Sequence, residues 1–193
     1  MPRIDSEKFY SQAIKKFPDD ARALHWTSNL TQELRFEILL ELLPDDLSAL
    51  SIGDAGCGFG DFYNYLRKNS LTPHSYVGID IHDEMCHIAR KNCSLEILKA
   101  DICKEPIPVV DFYVCSGALN ILSEFETRLF IHNCYKSSRI GFIFNALHGE
   151  DESEVYNYIT TQRIQEIAKE LGVKEPIFRT DYLDSDITIG FFR

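Results

Sequence analysis

The chain has 193 residues, with 20 Lys and Arg against 30 Asp and Glu, for a formal net charge of −10. That length makes one domain with a full core the default. The acidic balance argues against a nucleic-acid partner, which wants a basic stripe.

No run is long and apolar enough to span a bilayer. The start, Met1-Pro2-Arg3-Ile4-Asp5, lacks a secretory apolar region, so a cytoplasmic protein is expected. The six cysteines are Cys57, Cys86, Cys93, Cys103, Cys115 and Cys134. With no secretory segment in a chain of this length, reduced thiols are expected rather than disulfides, and without a C-x-x-C pair no zinc site is expected.

In chain order, Phe9, Ala13, Ile14 and Phe17 share one side of a helix predicted over about Asp5–Phe17. Pro18 breaks it, before a polar bend around Trp26. Thr31 is placed to cap a second helix whose buried face is Leu34, Ile38, Leu39, Leu42 and Leu43, ending at Pro44. These two helices form a leader over residues 1–46 and are expected to pack across the mouth of the glycine-rich stretch beyond them.

That central stretch is Leu50-Ser51-Ile52-Gly53-Asp54-Ala55-Gly56-Cys57-Gly58-Phe59-Gly60-Asp61. Apolar residues lead into a carboxylate, then glycines at alternate positions, then an amphipathic run. That is strand, tight turn and helix. Glycine serves where backbone takes positive φ or meets a ligand closely, and the free N–H groups of a helix start favour an anionic group.

A dinucleotide turn would need its third glycine where Asp61 stands, and Asp54 and Asp61 together would oppose a pyrophosphate. No Gly-Lys-Ser/Thr comes after it, which removes the P-loop reading. Two carboxylates suit a ligand that carries an ammonium or sulfonium.

A buried strand is predicted over Ser75–Asp80, a helix over His82–Asn92, and strands over Leu95–Ala100 and Val109–Cys115. A helix over Glu124–Tyr135 and a strand over Arg139–Ala146 come next. The helix Thr161–Leu171 is closed by Gly172. The last strands, Ile177–Tyr182 and Ile187–Phe192, are joined too closely for a crossover and are expected to form an antiparallel hairpin. Strands alternating with helices give a doubly wound α/β sheet over residues 47–193.

The motif and this element order together resemble the class I methyltransferases that use S-adenosylmethionine (SAM). Their turn reads roughly Asp/Glu-x-Gly-x-Gly-x-Gly, and their sheet has seven mostly parallel strands with an antiparallel hairpin at the end. The resemblance implies a cofactor turn built from Asp54, Ala55, Gly56, Cys57, Gly58 and Gly60. Asp80 would accept hydrogen bonds from the ribose, unless it only caps the next helix. Ile81 and Met85 would flank the adenine. Asp101 and Ile102 would meet its amino group and ring, unless Asp101 is simply the end of a strand.

Backbone at Cys115 and Ser116 would meet the methionine part. The segment after it has no Asp/Asn/Ser-Pro-Pro-aromatic motif, which disfavours the chemistry of the amino-methyltransferases of DNA and of some that act on RNA or protein. Asn120 would point at the acceptor or only fix its loop.

Arg35 of the leader would reach the carboxylate of SAM, or pair with Glu37 or with acids near Glu41. Trp26 would wall the pocket or lie in the core. His25, His132 and His148 are candidate bases that can equally be structural, and His148 lies nearest the substrate loops.

The implied activity is methyl transfer to a small-molecule acceptor, with S-adenosylhomocysteine (SAH) as product. The other readings are a non-catalytic SAM-binding protein of the same fold and, more distantly, a nicotinamide dehydrogenase.

Overall fold

The structure, a computed structural model, describes residues 29–193. The helix expected over Asp5–Phe17 and the bend with His25 and Trp26 lie outside the described residues.

Helix α1 spans Asn29–Glu41. It begins two residues before Thr31, which therefore sits in the first turn rather than at the cap. Phe36, Ile38 and Leu39 are its buried apolar side chains, joined by Leu43 just beyond its end. Phe36 packs edge-on against Phe62, ring centres 5.3 Å apart, and against Tyr65. Those contacts seat α1 on the helix after the glycine turn.

Strand β1 (Ser51–Ala55) runs into the turn and helix α2 (Asp61–Lys68). Then come β2 (Ser75–Asp80), α3 (Asp83–Cys93), β3 (Glu96–Lys99) and β4 (Val110–Ser116). A single 3-10 turn covers Ala118–Ile121, and α4 spans Glu124–Lys136. The chain ends with β5 (Ser138–His148), β6 (Tyr158–Ile159), α5 (Thr161–Leu171), β7 (Ile177–Arg179) and β8 (Asp186–Phe192). Two helices start on side-chain caps: α4 on a reciprocal Ser123–Glu126 box, α5 on Thr160.

The sheet order is β3-β2-β1-β4-β5-β8-β7. The pairs from β3 to β5 are parallel, and β8 is antiparallel to both β5 and β7. These are the seven strands expected. An eighth, β6, adds two parallel pairs at the end of β5. It is too short to leave a periodic trace. β7 stops at Arg179, short of the expected Tyr182, and Arg179 pairs with Asp181 in the connection to β8.

The core fills both faces. One cluster holds Tyr113, Phe142, Phe144 and Phe191 under α4 and α5. The other holds Leu39, Ile52, Phe62 and Leu66 under α1 and α2. The order reverses between β1 and β4, so the carboxyl ends of these strands open a crevice there.

Candidate functional site

A cleft of about 150 Å³ occupies that crevice. The glycine turn forms its floor. Gly56, Gly58 and Gly60 have φ of 78°, 53° and 82°, the left-handed region that glycine enters without penalty. Gly56 and Gly58 line the cleft, with Cys57 between them. A Cβ on Gly56 would stand 2.4 Å from the Ala118 Cβ on the opposite wall, so glycine keeps the cleft open there. Gly60 does not line it. A Cβ on Gly60 would meet the Cys93 sulfur at 2.1 Å, so this glycine serves the packing of α2 on α3. Ala55 is likewise buried in the sheet rather than exposed to the cleft.

Four carboxylates line the cleft: Asp54, Asp61, Asp80 and Asp101. Asp54, at the end of β1, accepts a hydrogen bond from the Tyr76 hydroxyl at 2.6 Å. Burial pushes its carboxyl from the ordinary 3.8 up to about 7. The Tyr76 bond works against that shift, while the charges of Asp80 and Asp61 add to it. Burial also raises Asp61, opposed by the Gln32 amide, which donates to it at 3.0 Å.

Asp80, at the end of β2, accepts from the Gly58 N–H and the His82 N–H, each at 3.0 Å. Its carboxyl is raised by burial, with those N–H groups pulling it back. Asp101 pairs with Lys104 at 2.8 Å and accepts from the Cys103 N–H at 3.0 Å. Ile81, Met85 and Ile102 supply an apolar slot beside Asp80 and Asp101.

Beyond β4 the lining is Ser116, Gly117, Ala118 and Asn120. Cys115 itself is wholly buried, and burial holds its thiol far up, so it lies beneath this wall. Asn145 of β5 shapes the wall. Its side-chain oxygen accepts from the Gly117 N–H at 3.0 Å, and its amide donates to Ser116 Oγ at 3.3 Å. Asn120 accepts from the Leu147 N–H at 3.0 Å, so it fixes its loop while it lines the cleft.

Arg35, His148 and His132 also lie outside the lining. The Arg35 guanidinium pairs with Asp186 of β8 and donates to the Thr31 carbonyl at 3.1 Å. Among the described residues of the leader, Gln32, one turn earlier, and Phe36 reach the cleft. His148 turns its ring to Thr161 Oγ1, 3.1 Å away at the start of α5, outside the lining. His132 sits on α4, 3.6 Å from Glu170. Trp26 and His25 lie outside the described residues.

Sequence reasoning chose Arg35 in the leader where Gln32 lines the cleft, and missed Tyr76, Asn145 and Tyr156. Each acts through a partner distant in sequence or through a loop, and none has a local signature. Asp61 reads in the sequence only as a charge, and its bond to Gln32 gives it a place. Among the described residues no cluster of metal-ligating side chains exists, and no helix is long and apolar enough to cross a membrane.

Residues 52–141 match the family model of a methyltransferase domain. No curated protein matches the chain. Among solved structures it is similar to magnesium protoporphyrin IX methyltransferase from Synechocystis PCC 6803. With SAM bound, that protein has 14% identity and a TM-score of 0.68, covering 100% of this chain and 86% of that one. With SAH bound, the TM-score is 0.69 at 14% identity, covering 96% and 94%. A SAM-dependent methyltransferase from Mesorhizobium loti has 16% identity and a TM-score of 0.65, covering 83% of this chain and 98% of that one.

Proposed function

We propose that the chain is a class I SAM-dependent methyltransferase, moving a methyl group from SAM to a small-molecule acceptor and leaving SAH. The observation that carries the reading is the cleft at the β1–β4 reversal, floored by an open glycine turn and lined by four carboxylates.

The lining fits such a cosubstrate. Its sulfonium and ammonium are cations, and an acidic crevice favours them. Asp80, pinned by two N–H groups, has lone pairs left for ribose hydroxyls. The Ile81, Met85 and Ile102 slot accepts a flat base, with Asp101 at its edge. Gly56, Gly58, Ser116 and Gly117 let backbone approach the amino-acid tail, and Gln32 and Asp61 close that end.

SAM supplies an activated methyl group on sulfur. The protein's part is to align acceptor and methyl in line and to exclude water. Phe36 and Phe62 give the cleft an apolar rim for that purpose.

We read residues 47–193 as the core and 1–46 as its leader. Six free, buried cysteines support a reducing compartment such as the cytoplasm. Calorimetry with SAM, SAH and NAD in turn tests the cosubstrate. SAM and SAH should bind and NAD should not. NAD binding in preference to SAM would overturn the reading. A SAM-consumption assay over an acceptor panel then tests transfer, and SAM binding without any turnover would favour the non-catalytic alternative.

A further inference from the structure

The cleft also carries information about the acceptor, and the inference rests on the SAM-dependent activity proposed for it. The cleft has two sides about the β1–β4 reversal. The β1–β3 side holds Asp80, Ile81, Asp101 and Ile102, the nucleoside end. The other side is built from α1, the turn after β4 and the β5–β6 connection, which bring in Phe36, Asn120, Ile121 and Tyr156.

No Lys or Arg lines the cleft among the described residues. The basic groups nearby are committed: Lys104 to Asp101 and Arg35 to Asp186. Among the described lining residues, His82 alone can become cationic, and it comes after Asp80 on the nucleoside side. Among the described residues the fixed charge that an acceptor meets is therefore acidic, which favours a cationic acceptor over an anionic one.

We propose that the acceptor is an amine on a flat apolar body, and that Tyr156 is the residue that positions it. Tyr156 is held by the backbone on both sides. Ser153 Oγ accepts from the N–H groups of Val155 and Tyr156, at 3.2 and 3.0 Å. The Asn157 N–H donates to the Asn120 carbonyl at 2.7 Å, and its side-chain amide donates to Thr127 Oγ1 at 3.0 Å. These bonds staple the β5–β6 connection to the cleft wall and hold the backbone that carries Tyr156 into the lining.

Phe36, Phe62 and Tyr156 present aromatic surface to the cleft. Aromatic faces attract an ammonium and pack against flat apolar groups. The same connection carries Glu150, Asp151, Glu152 and Glu154 and no base, so its field favours a cation approaching the mouth. In transfer, the amine sheds a proton to solvent and its lone pair forms the new N–C bond. The C–S bond breaks as it forms, sulfur keeps that electron pair, and the methylated ammonium loses its second proton to solvent.

The test uses the full-length chain and begins with SAH calorimetry. If SAH does not bind, the cosubstrate reading fails and this inference falls with it. On SAH-loaded protein, 2-phenylethylamine and tryptamine are then titrated beside phenylacetate and indole-3-acetate. The amines should bind at least about tenfold tighter than the matched acids. Tyr156→Ala should weaken amine binding by about tenfold while SAH affinity holds, and Tyr156→Phe, which keeps the ring, should retain most of it. With SAH bound, acids binding as well as amines, neither class binding at millimolar concentration, or an unchanged amine affinity in a folded Tyr156→Ala would each overturn the proposal. A thermal melt establishes that the variants are folded, and Tyr156→Phe carries the ring test if the alanine variant is not.

Discussion

Tyr76 on β2 donates its hydroxyl hydrogen to Asp54 on β1 at 2.6 Å, inside the sheet at the head of the glycine turn. Both side chains are buried. The bond satisfies one carboxylate oxygen, yet the group still titrates near neutrality because burial outweighs it.

The pH consequence comes from the direction of that shift. Asp54 is lifted from 3.8 to about 7 in the folded chain. Between those values the folded chain holds a proton that the unfolded chain has lost. Stability from this group is therefore full below about pH 4, falls as pH rises to about 7 and is flat above. Asp54→Asn keeps an acceptor for Tyr76 and cannot ionise. It should be more stable than the parent at pH 8, by an amount on the order of a few kcal/mol, and should lack that slope. Denaturant melts from pH 4 to 8 on both proteins check this. Binding of cationic SAM should also drive a proton off Asp54 near pH 6, making the calorimetric heat depend on buffer ionisation enthalpy. Equal heats in two buffers would remove this linkage.

Asp80 is a second decision point. Its oxygens hold the Gly58 and His82 N–H groups, so it shapes the turn whether or not it meets a ribose. Asp80→Ala should weaken SAM by about 1.5–3 kcal/mol and also lower the melting temperature. Asp80→Asn keeps the shape and removes the charge, but its single amide oxygen can serve only one of the two N–H groups, which meet different carboxylate oxygens. It should melt between the parent and Asp80→Ala and bind SAM more weakly than the parent. Parental affinity in that variant would mean that the charge takes no part in binding.

The glycines divide by neighbour. Gly60→Ala puts a Cβ 2.1 Å from the Cys93 sulfur at a φ of 82°. The left-handed backbone alone costs about 1–2 kcal/mol, and the clash adds to it. The Cys93 Cβ is 3.7 Å away, an ordinary contact, so Gly60→Ala with Cys93→Ala should recover the clash and leave the backbone cost. SAM affinity should change little in either. Gly56→Ala strikes Ala118 across the cleft and should lose SAM binding as well as stability. If Gly60→Ala lost SAM as completely as Gly56→Ala, the division would be wrong.

These contrasts show where sequence stops being informative. Ser75–Asp80 and Thr161–Leu171 arise directly from a buried apolar run and from a Thr cap closed by Gly172, because those causes are local. The four cleft carboxylates are legible for a similar reason: three sit at or just past strand ends, and the fourth opens α2. Asn145 is different. It meets Ser116 and Gly117 only because the register of β4 on β5 sets Ser116 opposite it. Tyr156 enters the cleft through an irregular connection, and no periodicity marks it. Arg35 has nearby acids in sequence, yet its partner is Asp186, brought up from the last strand by the sheet order.

That last pair bears on the leader. Arg35 is 11% exposed and Asp186 3%, so the ion pair is largely shut from water. It ties α1 to β8, and α1 carries Gln32 and Phe36 into the cleft. Removing one partner strands the other charge, so Arg35→Ala should cost about 3–5 kcal/mol. Arg35→Met with Asp186→Asn removes both charges and should cost much less, and the cycle through the single variants measures the coupling. Arg35→Lys keeps the charge but cannot serve Thr31 and Asp186 with one fork, so it should fall between.

Because the pair acts on the cleft only through α1, acceptor KM and turnover should suffer more than SAM affinity in Arg35→Lys. Removal of residues 1–30 should act the same way, leaving the sheet folded because Phe36, Leu39 and Leu43 remain to seat α1. SAM calorimetry beside SAM-consumption rates, on full-length protein, the truncation and Arg35→Lys, gives both quantities. A truncated chain that turns over at the full-length rate would mean that residues 1–30 take no part in completing the cleft.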